Sequence, residues 1–126
     1  MNFQALIWIG LGGAIGSILR ALLAGGIKTE FPWATLIANA AGCLLIGLVI
    51  GHESATADWS HHTRGFVVIG FCGGFTTFST FGLQTIKQLE SGNLVGAISN
   101  ILLSLVVCLV AVWAGIKISK LIFHVG

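Results

Sequence analysis

The chain has 126 residues, of which 56% are hydrophobic and 8% charged, and its mean hydropathy is +0.99. This length gives one domain, residues 1–126, and this composition excludes a soluble globule in favour of an integral protein of the lipid bilayer. A net charge of +2, with six scattered Lys and Arg and no basic run, excludes nucleic acid as a partner.

Charges divide the chain into four apolar spans, each near the roughly 20 residues that cross a ~30 Å hydrocarbon core. The first runs from about residue 3 to 24 and contains Arg20. It lacks a basic n-region and an A-x-A cleavage site, and is too long for a signal h-region, so it reads as a retained membrane helix. The second, residues 33–51, is entered through Pro32, which suits a first helical turn. The third is the uncharged run 65–86, and the fourth lies within residues 91–116. Glu30, Glu53, Asp58 and Glu90 all fall in the intervening linkers, as do His61 and His62, which read as a solvated loop. The linkers at 28–31 and 87–90 are short enough to demand antiparallel neighbouring helices. Trp33 and Trp113 fall near span ends, where aromatic belts form.

The third span carries the most informative stretch, GFCGGFTTFSTF at residues 70–81. Paired glycines and clustered hydroxyls are poor material for a plain lipid-facing helix, so the spacing predicts a break near residues 73–77. Backbone carbonyls freed at mid-membrane depth must be buried in protein or line a polar cavity. The break is therefore the expected functional centre.

The conventional chemistries are weak. Cys43, Cys72 and Cys108 lie in separate spans without zinc or disulfide spacing and read as small buried residues. No nucleophile–base set, P-loop or carboxylate pair supports an enzyme. The glycine pairs Gly12/Gly16, Gly47/Gly51, Gly70/Gly74 and Gly92/Gly96 read mainly as helix-packing seams. Arg20, the lone charge inside a span, either snorkels, anchors its helix or draws anions. Asn39 either bridges two helices or presents amide donors to a pore. Asn100, Ser104 and Cys108 share a helical face that is equally glue or pore wall. Phe78 and Phe81 share a face if the second half of the third span is helical, and their electropositive edges can meet an anion. Such contacts are worth roughly 0.5–1.5 kcal/mol. Removing an anion from water costs tens of kcal/mol. Amide and hydroxyl donors must therefore carry most of any anion path.

An even number of spans puts both termini on one side, with Arg64, Lys117 and Lys120, against Lys28 and Lys87 and the nearby Arg20 on the other. That balance specifies orientation weakly. Four helices alone enclose little volume, so the expectation is a chain that inserts both ways and pairs with its inverted copy.

The motifs Gly12-x-x-x-Gly16-x-x-x-Arg20, TLIANAAG at 35–42 and GGFTTFSTF at 73–81 resemble the signature stretches of the Fluc (CrcB) family of bacterial fluoride channels. The resemblance covers all four spans. It implies an all-α membrane protein, four transmembrane helices with the third broken near 73–77, assembled as an antiparallel dual-topology homodimer in the bacterial inner membrane. Two pores would export fluoride passively and relieve its toxicity. It implies that Asn39, Phe78, Phe81, Ser79, Thr80, Ser104 and Cys108 line the fluoride pore, with Arg20 at a vestibule or as an anchor. It also implies a structural Na⁺ at the dimer centre, held by the carbonyls of Gly73 and Thr76. Cys108 stands where the family commonly has serine, and Gln84 where it has glutamate. The rivals are a small dual-topology multidrug exporter, which needs an intramembrane acid this sequence lacks, and a non-conducting assembly subunit.

Overall fold

The computed structural model describes residues 1–56 and 59–123. The described residues are helical apart from short connections: α1 (Phe3–Gly26), α2 (Trp33–Thr56), α3 (His61–Arg64), a π-helical stretch (Gly65–Cys72), α4 (Gly73–Phe75), α5 (Phe78–Glu90) and α6 (Leu94–Phe123). Helix α3 through α5 is one interrupted rod, so four helices are long and apolar enough to cross a membrane.

Local chemistry sets the ends. Asn2 caps α1 by accepting from the Ala5 amide at 2.9 Å, and Ser60 caps α3 by accepting from Thr63 at 3.1 Å. Between α5 and α6, Gly92 turns the chain at φ +80°, a left-handed conformation that favours glycine. The Asn93 amide then reaches back to the Gln88 carbonyl at 2.8 Å, closing the helix end, and the Asn93 side chain caps α6 through the Gly96 amide at 2.8 Å. Gly92 and Gly96 thus serve a turn and a cap rather than a packing seam, contrary to the expectation from their spacing.

The third span also begins earlier than expected. His61 and His62 belong to helix α3 rather than a loop, and Glu53 and Glu90 lie on the last turns of α2 and α5. Arg64 approaches Glu53 at 3.6 Å, joining the start of the third span to the end of the second. Asp58, assigned to the same loop, lies outside the described residues. Helix is continuous through 87–90, so residues 91–93 make the turn. Trp113 sits well inside α6, where the Lys117 ammonium lies 6.0 Å from its ring centre.

Two backbone-close seams organise the bundle. A Cβ on Gly70 would stand 2.5 Å from the Ile9 carbonyl oxygen, and one on Gly16 would be 2.8 Å from the Phe75 amide, so α1 touches the first half of the third span backbone to backbone. On the other side, a Cβ on Gly115 would meet the Leu44 carbonyl at 2.5 Å, and one on Gly51 would meet Ser119 at 2.7 Å, locking α2 against α6. Without a hydrophobic force between helices in lipid, such close contact is what drives association. The burial pattern is inverted accordingly. Asn100 and Ser119 are 2% and 1% exposed, while Leu109 and Leu121 on the same helix are 69% and 70% exposed.

Candidate functional site

Helix α4 stops at Phe75, and Thr76 and Thr77 are extended, at φ/ψ −84°/156° and −154°/116°, before α5 resumes. Most polar groups of the break have an identifiable partner. The Thr76 amide and hydroxyl both donate to the Cys72 carbonyl, at 3.0 and 2.8 Å. Asn39 of α2 accepts from the Thr77 amide through Oδ1 at 2.7 Å and donates through Nδ2 to the Thr77 carbonyl at 3.1 Å. The Thr77 hydroxyl caps α5 by accepting from the Thr80 amide at 3.2 Å, and it also lies 3.2 Å from the Ser79 hydroxyl. From α1, Arg20 Nε donates to the Gly74 carbonyl at 3.0 Å and the Ser17 hydroxyl to the same oxygen at 3.4 Å.

Two carbonyls are treated differently. In an unbroken helix Gly73 and Thr76 would accept from the amides of Thr77 and Thr80. Those amides go instead to Asn39 Oδ1 and Thr77 Oγ1. Gly73 and Thr76 are therefore left without their helical donors, and Gly73 is exposed on the surface of the single chain. Oxygens of this kind suit a hard cation.

Three cavities follow one another past the break. An inner one of about 270 Å³ is lined by Asn39, Cys43, Thr76, Thr77, Phe78, Phe81, Ser104 and Cys108 together with Leu105 and Leu109. Its wall is therefore mostly apolar and open to the outside of the single chain. A second, about 150 Å³, is bordered by Arg20, Thr35, Thr77, Thr80 and Gln84. The third, about 750 Å³, opens at the end of α5 among Glu30, Gln84, Lys87 and Gln88. Thr77 belongs to the first two and Gln84 to the last two, so polar side chains run from a charged mouth to the break. Among the described residues, Arg20 is the one charged residue lining the two inner cavities. Both polar atoms of Gln88, 7% exposed, and Oε1 of Gln84 have no protein partner among the described residues, leaving them to whatever fills the mouth.

Most of the expected residues thus meet. Asn39, Phe78, Phe81, Ser104 and Cys108 share the inner cavity, while Thr80 and Arg20 border the next. The Phe78 and Phe81 ring centres are 5.3 Å apart, and Phe78 is 81% exposed on the outside of the single chain. Ser79 is exposed and borders neither inner cavity. The equal choice for the fourth-span face divides by residue. Asn100 donates to the Thr85 hydroxyl at 2.9 Å and ties α6 to α5, whereas Ser104 both donates to Asn100 Oδ1 at 3.4 Å and faces the inner cavity. Sequence reasoning missed Thr77 as the hub of the break, and Cys43. The latter lies four residues after Asn39 and so on the same face of α2, a spacing that could have flagged it.

Residues 7–116 match the family model described as CrcB-like protein, Camphor Resistance (CrcB). The chain belongs to the CrcB family. Among its relatives is the fluoride-specific ion channel FluC of Geobacter sulfurreducens, 44% identical over 119 residues that cover 91% of this chain and 96% of that protein. The protein of the same name from Flavobacterium psychrophilum is 40% identical over 121 residues, covering 93% and 98%. That of Rhodospirillum rubrum is 40% identical over 119 residues, covering 86% and 89%. The CrcB match includes the break, Asn39, Arg20 and every cavity-lining residue named above. A CrcB protein with four such spans is a multi-pass integral membrane protein.

Proposed function

We propose that this chain is the subunit of a fluoride-selective channel that lets fluoride leave the cell passively down its electrochemical gradient. The observation that carries the reading is the succession of three cavities that share Gln84 and Thr77 as wall residues, the last of them mostly apolar and bearing Asn39 and the two phenylalanines. The fluoride specificity printed in the names of relatives about 40% identical supports the choice of ion. Arg20 gives the path a positive bias, since Lys87 at the mouth is offset by Glu30. Hydroxyls of Thr80 and Ser104 and the amide of Asn39 replace water, and the narrow Phe-edged end excludes larger halides. Selectivity of this sort combines pore diameter with lining donors. Ser79 takes part only through Thr77, to which its hydroxyl is close. Cys108 supplies a weaker donor than a hydroxyl.

We further propose that the working unit is an antiparallel homodimer in a bacterial inner membrane, with one Na⁺ at its centre. Irregular backbone and an exposed carbonyl at mid-membrane depth are not left facing lipid. Gly73, Thr76 and Phe78 make such a surface here, and a second, inverted copy would bury it. Two carbonyls from each chain, those of Gly73 and Thr76, would hold the ion and replace the helical donors that the break removes. A proton-coupled exporter of cationic drugs is disfavoured because, among the described residues, no carboxylate lines the two inner cavities. A non-conducting assembly subunit would not need the joined cavities.

The deciding experiment is efflux from liposomes containing the purified protein, fluoride against chloride. Rapid fluoride release with negligible chloride release is expected. Equal release of both ions, or of neither, overturns the reading.

A further inference from the structure

Cys43 and Cys108 lie on the seam between α2 and α6, each one helical turn from the contact that Gly47 makes with Val112. Both are free thiols, both are half-buried, and both border the inner cavity. Each stands one turn from a polar residue of the same cavity, Cys43 from Asn39 and Cys108 from Ser104. The buried Cys72, in the π-helical stretch, does not border the cavity.

We propose that Cys43 and Cys108 form a two-thiol binding site, on the wall of the inner cavity, for a soft divalent cation that takes two sulfurs in a line, the mercuric class. Soft thiolates select soft metals. With each sulfur about 2.3 Å from the ion, a linear pair spans about 4.6 Å, a separation that two thiols on one seam and one cavity wall can reach by adjusting their rotamers. Among the described residues no group of three or more His, Cys, Asp or Glu is arranged around a metal, which disfavours tetrahedral zinc and leaves two-coordinate chemistry. Charge points to the same class. Each thiol releases its proton to water in the cavity, two sulfur–metal bonds form, and no electron is transferred. Two thiolates and a divalent ion leave a neutral complex, whereas a monovalent ion would leave a net negative charge in a site of low dielectric, at high cost. The ion would sit one turn from Asn39 and narrow the 270 Å³ cavity, so its binding would also block the path.

The test uses the full-length protein, wild type and the variants Cys43→Ser, Cys108→Ser and Cys72→Ser, each loaded with mercuric chloride. Excess glutathione then competes, and metal retained through gel filtration is measured by elemental mass spectrometry. Wild type and Cys72→Ser should hold one mercury per chain and show an ultraviolet thiolate-to-metal charge-transfer band. Loss of the second thiol removes the chelate advantage, so Cys43→Ser and Cys108→Ser should release the metal at roughly 100-fold lower glutathione. Should a serine variant elute as aggregate, the alanine variant at the same position replaces it. Retention unchanged in either single variant, or lost equally in Cys72→Ser, overturns the site. In liposomes, each protein is compared with its own mercury-free rate, and wild type should lose at least nine-tenths of its fluoride efflux and regain it with a dithiol. Binding in the expected pattern without block upholds the site and counts against the fluoride path itself.

Discussion

Asn39 and Thr77 exchange two hydrogen bonds, amide to Oδ1 at 2.7 Å and Nδ2 to carbonyl at 3.1 Å, so a side chain of α2 pairs with the broken backbone of the third span as a strand would. Because one partner only donates and the other only accepts, the orientation of the Asn39 amide is fixed. One of its two N–H bonds is spent on Thr77, and the other is free for the inner cavity it borders. Bridge and pore donor, which the sequence presents as alternatives, are compatible in one group: the bridge to Thr77 is made, and the second N–H is the one the proposed path would use.

Asn39→Asp separates them badly. The carboxylate still accepts from the Thr77 amide, but it faces the Thr77 carbonyl without a proton to give and turns a negative charge towards a passing anion. Fluoride efflux should fall by about tenfold or more, the rate equivalent of losing a hydrogen bond involving a charged group at roughly 1.5–3 kcal/mol. Efflux near the wild-type rate would remove Asn39 from the path.

Phe81→Ile keeps volume and apolarity while deleting the electropositive ring edge, and should reduce throughput severely. Phe78→Ile should also slow it, with the effect dependent on assembly, since Phe78 lines the cavity yet is 81% exposed in the single chain. Normal flux in both would make the rings packing residues.

Arg20 has an assigned partner, which lets its two roles be told apart. If donation from Nε to the Gly74 carbonyl is what matters, Arg20→Lys should fail to restore flux lost in Arg20→Met, because an ammonium cannot reproduce the planar side-on contact. If the charge draws anions, Arg20→Lys should rescue, and the defect of Arg20→Met should vanish at saturating fluoride. The 3.0 Å contact predicts the first pattern.

Gly74→Ala and Gly70→Ala insert a methyl into the α1 seam, 3.0 Å from Gly13 Cα and 2.5 Å from the Ile9 carbonyl respectively. Backbone on the far side cannot yield cheaply, so each should destabilise the fold by about 1–3 kcal/mol, read as a lower unfolding midpoint in detergent. Gly10→Ala, with nothing within 4 Å of the added carbon, is the control and should leave the midpoint unchanged.

Sodium binding and dual insertion are tested together. A structure of the assembled protein in sodium should show an ion within about 2.4 Å of the Gly73 and Thr76 carbonyls. Reporters fused after Gly126 should reveal comparable amounts of both orientations, and added lysines between residues 56 and 61 should force one and abolish activity. A wild-type chain inserted one way only would overturn the inverted pair.

Much of this was legible because membranes make sequence unusually literal: apolar runs of spanning length gave four helices, and the GGFTTFSTF stretch announced the break. The ends were less legible. Glu53, His61 and Arg64 look like loop residues by polarity, yet they extend helices that outlast the hydrocarbon core, and polarity marks where water begins rather than where helix stops. Gly92 and Gly96 satisfy the seam spacing but act locally, since spacing cannot tell a neighbouring helix from a residue's own cap. The hub role of Thr77 was hidden because it depends on a contact across 38 positions of sequence.

The two halves of the third span are held unequally. The half before the break is pressed against α1 along its backbone, whereas α5 has no such seam. It is held by Asn39 at one end, by the Asn100–Thr85 contact farther along and by the turn that returns the Asn93 amide to Gln88. Thr77 is accordingly a pivot with one arm clamped. With 13 residues, α5 is a lever of roughly 20 Å at 1.5 Å per residue. A rotation of about 5° at the pivot would carry its far end, with Lys87, some 2 Å, by the same helix rise, while the amide of Asn39 stayed in place. In the proposed channel, such a tilt would move the mouth and leave the Asn39 end of the path unchanged.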